Sequence, residues 1–204
     1  MNAVYEMLER MSIDEKGQAL IQAALNKNMD KMKEILALGV DPNIKGPGGW
    51  TALRITAWHG DSSMAELVLN HGALVDDQSI TGQTALLMAS SYGHIRLVKL
   101  LLNRGADPNI RNLNNSTALM IACFHGYGDI VKELLRRGAV LAIQNKQGKT
   151  AMTFAMEMGH EEIVGLLLEA ENHFYIPPAE MALNNSGMYF TSAGKTASVY
   201  ISNL

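Results

Sequence analysis

The sequence predicts an all-α solenoid, a row of stacked helix-turn-helix units joined by short β-hairpin fingers. Two observations lead to this fold class. The chain repeats itself with a constant period of 33 residues, most visibly in the threonines Thr51, Thr84, Thr117 and Thr150. Within each unit, apolar residues recur at helical spacing and glycines follow at fixed positions. A fixed period of this length is typical of a repeat solenoid, in which each unit buries its apolar face against its neighbours.

The first unit lies before Thr51. A step of 33 residues back from Thr51 leads to Gln18, and Ser12 with Glu15 fits a capping box at the start of a helix. A second phase of the repeat begins at Asn28 and gives the second helix of this unit. The repeat cores are therefore expected to start at about residues 18, 51, 84, 117 and 150.

In the later units the opening threonine is expected to cap the first helix, because its hydroxyl can accept a hydrogen bond from an unpaired amide. Each first helix should end at a glycine in the left-handed conformation. These glycines are Gly60, Gly93, Gly126 and Gly159. The second helix is amphipathic, as Val98, Leu101 and Leu102 illustrate. It should end at a second set of glycines, Gly39, Gly72, Gly105 and Gly138.

The segments between units are polar and rich in glycine, asparagine and proline. DPNIKGPGG begins at Asp41, and DPNIRNLNN begins at Asp107. This composition favours an extended finger with a tight turn.

The units resemble the ankyrin repeat, whose pattern is roughly T-P-L-H-x-A-A-x-x-G-H at the start and L-L-x-x-G-A-D-x-N at the end. The resemblance covers about residues 12–172 in five copies. It implies stacked helix pairs with projecting hairpins and protein binding on a concave face. Alanine stands in place of the family proline in every copy. The family histidine is replaced by Arg54, Leu87, Met120 and Thr153.

Composition narrows the functional classes. The net charge is −3, which argues against a broad basic surface for nucleic acid. Cys123 is the only cysteine, so neither an internal disulfide nor a cysteine cluster for a metal can form. No apolar run approaches the roughly 20 residues that span a bilayer. We therefore expect no nucleic-acid partner and no membrane insertion. The simplest compartment is the cytoplasm, with the nucleus and delivery into another cell by an unrecognised route left open.

Catalytic patterns are weak. Gly148-Lys149-Thr150 and Gly194-Lys195-Thr196 imitate the end of a phosphate-binding loop, but neither has the earlier glycine that this motif needs. The histidines recur at repeat positions two units apart, too far for one zinc ion. The sequence thus predicts no catalytic residues, no metal site, no cofactor and no small-molecule substrate.

The candidate partner-binding residues lie on the predicted concave face. The resemblance places the two residues before each inner-helix glycine, and the finger residue before each threonine, among the family's partner-contacting positions. Both tryptophans fall on this surface, and aromatic residues are enriched in binding hot spots. Arg54 is expected at the groove edge, where it could bind a carboxylate, and Lys45 and Arg111 lie on the fingers. The predicted residues are Trp50, Arg54, Trp58, His59, Tyr92, Phe124, His125, Lys45 and Arg111.

The chain is expected to divide into a repeat domain of residues 1–172 and a tail of residues 173–204. The Pro177-Pro178 pair interrupts any continuation of the last helix. Three interpretations of the tail stay open: a strap over the last unit, a partner-binding peptide, and the start of a truncated further repeat. The last residues, Ile201-Ser202-Asn203-Leu204, resemble a C-terminal ligand of PDZ domains.

Together these observations predict a non-enzymatic module that binds a partner protein, of unknown identity, through the concave groove. The alternative is an adaptor or scaffold in which the groove holds one target and the tail contacts a second protein.

Overall fold

The computed structural model describes the backbone of residues 13–174, 182–183 and 189–190, and the side chains of residues 15–171. Over this part of the chain, ten α-helices follow one another and alternate along the sequence between an inner and an outer kind. The inner helices are α1 (Ile13–Leu25), α3 (Ala52–His59), α5 (Ala85–Ser91), α7 (Ala118–His125) and α9 (Ala151–Glu157). The outer helices are α2 (Met29–Ala37), α4 (Ser62–Asn70), α6 (Ile95–Asn103), α8 (Gly128–Arg136) and α10 (Glu161–Phe174).

Helices of the same kind lie beside one another. Each inner helix contacts the next inner helix from α1 to α9, and the outer helices do so from α2 to α8. This arrangement confirms the predicted all-α solenoid.

The chain divides into two compact units, Met1–Val164 and Gly165–Leu204, and the boundary falls within α10. The second unit contains two short antiparallel strands, β1 (Ala182–Leu183) and β2 (Tyr189–Phe190). The expected division at residue 172 stays a prediction. The capping box at Ser12 and the PDZ-like end of the tail lie outside the described residues.

The predicted helix signals are confirmed at both ends of the inner helices. The side chains of Thr51, Thr84, Thr117 and Thr150 each accept a hydrogen bond from the backbone amide three residues later. The glycines that follow these helices have φ angles between 71° and 78°. A residue with a Cβ atom is strained at these angles, which explains why glycine occupies the position.

The core lies between the inner and outer layers. One position of the outer helices is fully buried in successive repeats, where Ile35, Val68, Leu101 and Leu134 are 0% exposed. Burial of one such side chain contributes about 1.5–3 kcal/mol relative to leaving it in water. Because the first four repeats each supply an aliphatic residue at this position, the core continues from one of these repeats to the next.

Four fingers connect the repeats: finger 1 (residues 41–50), finger 2 (74–83), finger 3 (107–116) and finger 4 (140–149). One backbone hydrogen bond closes the turn of each, from Gly46 N to Trp50 O (2.8 Å) in finger 1. The equivalent bonds join Ser79 to Gln83, Asn112 to Ser116 and Asn145 to Lys149. Each hairpin consists of this tight turn, and no residue of 13–174 lies in a β-strand.

Candidate functional site

Three aromatic side chains stay exposed at the ends of successive inner helices. Trp58 is 41% exposed, Tyr92 50% and Phe124 43%. Trp58 and Phe124 belong to the last turns of α3 and α7, and Tyr92 directly follows α5. Large apolar side chains left in water at neighbouring positions are typical of a binding surface. We call the surface formed by Trp50, Trp58, His59, Tyr92, Phe124 and His125 the aromatic groove.

A first ring cluster joins finger 1 to α3. The ring centroids of Trp50 and Trp58 are 6.2 Å apart with an interplanar angle of 72°, an edge-to-face contact. The His59 ring lies 4.6 Å from the Trp58 ring. Aromatic pairs at this separation attract one another beyond simple burial of area. Trp50 therefore packs against one side of Trp58, and both rings remain partly accessible to solvent.

A second ring cluster lies two repeats further along. Phe124 meets Phe154 edge to face at a centroid distance of 5.9 Å. His125 lies 5.0 Å from Phe124 and stacks on Tyr127 at 5.6 Å. The ammonium group of Lys149 lies 5.7 Å from the centre of the Phe154 ring. Phe154 and Tyr127 are not among the predicted site residues, because nothing in the repeat pattern distinguishes them from core or turn positions.

The central repeat separates the two clusters with smaller or polar groups. Ser91 stands at the position of Trp58 and Phe124, and Gln83 stands at the position of Trp50. Tyr92 is the aromatic residue of this unit, and it stacks on His94 at 6.1 Å. Packed helices lie about 8–10 Å apart, so the two clusters are separated by about 16–20 Å along the row.

The prediction for Arg54 is wrong. Arg54 is only 1% exposed, so it cannot offer its guanidinium group to a partner at the groove edge. Its Nη1 atom pairs with the Asp77 carboxylate and donates to the Asp77 carbonyl oxygen at 2.9 Å. The physical reason is that finger 2 brings Asp77 over the first turn of α3. A buried guanidinium group requires such a partner, because an unpaired buried charge is strongly unfavourable.

The two predicted finger cations are exposed. The Nζ atom of Lys45 lies 2.7 Å from Oδ1 of Asp77, so this lysine joins the same carboxylate as Arg54. Arg111 projects from finger 3, and its backbone carbonyl accepts a hydrogen bond from the Gln78 side chain at 3.2 Å. Of the two, Lys45 thus has a clear structural partner in the neighbouring finger.

Histidines link the second, third and fifth repeats to the repeat before each of them. His59 Nε2 donates to the Leu25 carbonyl oxygen at 3.2 Å. His94 donates in the same way to Trp58, and His160 to Phe124, both at 3.3 Å. These bonds satisfy carbonyl groups at helix ends, which otherwise lack partners. The signal in the sequence is a histidine at a recurring repeat position, 34 to 36 residues after the residue whose carbonyl it binds.

The described residues offer little reactive chemistry. Cys123 is buried, and burial raises the pKa of its thiol to about 12, so it remains protonated at neutral pH. Across residues 15–171, no three histidine, cysteine or acidic side chains are grouped as a metal ion would require. None of the helices described is both long and apolar enough to span a bilayer.

The repeat fold matches a known protein family. The family model described as "Ankyrin repeats (3 copies)" matches residues 20–112 and 105–176, which together exceed half of the chain. The chain belongs to the ankyrin repeat family. Ankyrin repeats are generally protein–protein interaction modules and typically lack enzymatic activity.

Two curated proteins are similar to part of this chain. A "Mitochondrial disaggregase" of Homo sapiens is 38% identical over 58 residues, which cover 28% of this chain and 8% of that protein. A "Putative ankyrin repeat-containing protein" of Treponema pallidum (strain Nichols) is 33% identical over 66 residues, 32% of this chain and 22% of that protein. The chain therefore matches less than a quarter of the length of each relative.

Proposed function

We propose that this ankyrin repeat chain binds a partner protein reversibly through the aromatic groove and performs no chemical turnover. The observation that carries the proposal is the exposure of Trp58, Tyr92 and Phe124, each more than two-fifths accessible, at the ends of three successive inner helices. Rings in such a row can bury apolar side chains of a partner. Truncation of a hot-spot aromatic residue often costs about 2 kcal/mol or more of binding free energy.

Rigid presentation of the rings is the proposed mechanism. Trp58 is held by Trp50, Phe124 is held by Phe154, and the helices that carry them are capped at both ends. Side chains that are already ordered lose little conformational entropy when a partner docks. The separation of the two clusters, about 16–20 Å, equals about five or six residues of an extended chain. A partner segment with two apolar anchors at this spacing would reach both clusters.

The test compares two double variants in a partner-capture experiment. Trp58→Ala/Phe124→Ala removes one anchor from each cluster. Leu74→Ala/Val140→Ala is the matched control, because these residues are also exposed, also apolar and also 66 residues apart, but they begin fingers 2 and 4. Both variants are first shown to be folded by circular dichroism.

We expect at least one protein to be captured by the parent and the control but lost from the groove variant, with affinity reduced about 30-fold or more per anchor. If every captured protein is retained equally by both variants, the aromatic groove is not the binding surface and the proposal fails.

A further inference from the structure

Neighbouring fingers are joined in two different ways. Leu113 N of finger 3 donates to Thr81 O of finger 2 at 3.0 Å, and Lys146 N of finger 4 donates to Asn114 O of finger 3 at 3.0 Å. Fingers 1 and 2 lack the corresponding bond, which would run from Ile80 N to Gly48 O: among the described residues, Ile80 N makes no backbone hydrogen bond to Gly48. Finger 1 is thus separate from the backbone ladder that unites the other three.

An ion triad occupies the junction between fingers 1 and 2. Oδ1 of the Asp77 carboxylate lies 2.7 Å from Lys45 Nζ, and Oδ2 of the same carboxylate pairs with Arg54. The Lys45 ammonium group also lies 3.5 Å from the Gln78 carbonyl oxygen. The side chain of Arg54 is 2% exposed, that of Asp77 13% and that of Lys45 50%. Arg54 therefore anchors Asp77 to α3, and Asp77 in turn holds finger 1 through Lys45.

The connection from Lys45 to the groove is short. Gly46, the next residue, donates the backbone bond to Trp50 that closes finger 1. The tip between them contains Gly48 and Gly49, with φ angles of 69° and 75°. Glycine has wide backbone freedom, so the tip alone does not define where Trp50 lies. Asn43 ties the start of finger 1 to Gly72 and Leu74, and the ionic contact at Lys45 adds a constraint closer to the tip.

We propose that Asp77 is a positioning residue for the aromatic groove: through Lys45 it holds finger 1 so that Trp50 stays against Trp58. This inference rests on the proposed function for its biological meaning. The Lys45 pair is partly exposed and is screened by salt, whereas the buried Arg54 pair is screened much less. High salt therefore loosens the part of finger 1 that Lys45 holds while Asp77 stays in place, and partner binding at this apolar groove becomes salt-sensitive.

Tryptophan fluorescence tests the proposal without any partner, because Trp50 and Trp58 are the only tryptophans of the chain. Trp58→Phe leaves Trp50 as the sole reporter. Acrylamide, a neutral quencher, measures its accessibility in this background and in Lys45→Met, Lys45→Arg and Lys132→Met derivatives. Lys132→Met is the matched control, because Lys132 also pairs with a carboxylate, that of Glu162 at 3.3 Å, but lies on an outer helix. Lys45 is changed rather than Asp77 because loss of Asp77 would leave Arg54 buried without its partner.

We expect Lys45→Met to shift the Trp50 emission to longer wavelength and raise the quenching constant. Loss of an exposed ion pair of this kind shifts the equilibrium between the held and the displaced finger by about 1.4- to fivefold. Lys45→Arg should restore the parent values, and Lys132→Met should retain them. In 1 M NaCl the parent should approach the Lys45→Met values, while Lys45→Met itself should change little.

Equal quenching constants in Lys45→Met and its parent would overturn the proposal, as would an equal rise in Lys132→Met. Such a result would leave the proposed partner binding untouched, because that is tested by the Trp58→Ala/Phe124→Ala comparison. Conversely, a positive fluorescence result with no groove-dependent partner would support Asp77 as a positioning residue and contradict the proposed function.

Discussion

At the scale of single residues, the side chain at one finger position determines which hydrogen bonds form between neighbouring repeats. Asn43 donates to the Gly72 carbonyl oxygen at 3.1 Å and accepts the Leu74 amide at 2.8 Å. Asn109 does the same for Gly138 and Val140 at 3.1 Å and 2.8 Å. Asp76 occupies this position in finger 2 and accepts only the Asp107 amide, at 3.2–3.3 Å. A carboxylate can replace the acceptor of asparagine but, when ionised, not its donor.

The substitution Asp76→Asn should therefore stabilise the protein at neutral pH. Asparagine supplies a donor for the Gly105 carbonyl, which is the repeat equivalent of Gly72 and Gly138, and a hydrogen bond of this kind contributes about 0.5–1.5 kcal/mol. Urea unfolding at pH 7 measures the change in the free energy of unfolding. Asn109→Asp is the reverse substitution and should destabilise by a similar amount. A less stable Asp76→Asn protein would contradict this account.

The stability that Asp76→Asn adds should depend on pH in a defined direction. Burial raises the pKa of Asp76 above its ordinary value of 3.8, and the nearby Asp107 carboxylate adds to this effect, while the Asp107 amide opposes it. The unfolded chain then loses this proton before the folded chain does, so the contribution of Asp76 to stability falls as the pH rises from 3.8 through the raised folded value. The advantage of Asp76→Asn should accordingly be largest at neutral pH and shrink towards pH 4.

At the scale of elements, the fingers fit against one another through glycine. Gly82 has a φ angle of 73°, and a Cβ atom at this position would lie 3.0 Å from the Asn112 and Leu113 backbone of finger 3. Gly148 is its repeat equivalent in finger 4, with the same φ angle of 73° and no atom within 4 Å of such a Cβ. Asn115 occupies this position in finger 3 with a φ angle of 58°. The left-handed backbone is common to all three residues, but the close approach at Gly82 is absent at Gly148.

Alanine substitutions at Gly82 and Gly148 should separate the cost of the left-handed backbone from the cost of the close approach to finger 3. Gly148→Ala should cost about 1–2 kcal/mol, because an L-residue is strained in the left-handed region. Gly82→Ala should cost this amount and about 1–3 kcal/mol more, because the backbone of finger 3 must move away. Thermal or urea unfolding compares the two variants directly. Equal losses of stability in the two variants would mean that the backbone of finger 3 moves away without an energetic cost.

The elements were largely predictable from the sequence, and the contacts between them were not. Thr51 and Gly60 identify the two ends of α3 because capping depends on neighbouring residues in the chain. Arg54 was misplaced because the charge that draws it inward, Asp77, is 23 residues away and reaches it only after finger 2 has folded over α3. The same reason hides the bond from His94 to Trp58, which spans 36 residues. Ring contacts such as that between Phe124 and Phe154 likewise depend on how helices stack.

At the scale of the whole molecule, stability depends on every interface between neighbouring repeats. Leu101 lies at the fully buried position of the central outer helix, equivalent to Val68 before it and Leu134 after it. In a linear repeat array, each unit gains its stability from the units on either side. Damage to the central repeat therefore affects both halves, including the two ring clusters that flank it.

The substitution Leu101→Asp should lower the thermal midpoint and abolish groove-dependent partner binding, although Leu101 is not part of the aromatic groove. It places a charge without a partner in the core, and loss of the leucine side chain alone costs about 2–5 kcal/mol. Lys99→Asp is the matched control, because it introduces the same side chain at an exposed position of the same helix. Circular dichroism during heating measures the midpoint, and an unchanged value for Leu101→Asp would refute the argument.

The histidine bonds between repeats set an order in which parts of the molecule can be completed during synthesis. His59, His94 and His160 each complete a carbonyl that belongs to an earlier repeat, and Asp77 completes finger 1 from the finger that follows it. During synthesis on the ribosome, the first, second and fourth repeats thus wait for the next repeat to emerge before these carbonyl groups gain their partners. The Trp50–Trp58 cluster is finished once His94 has been made, long before Phe154 is added to the second. Half of the groove can therefore take shape while the other half is still being translated.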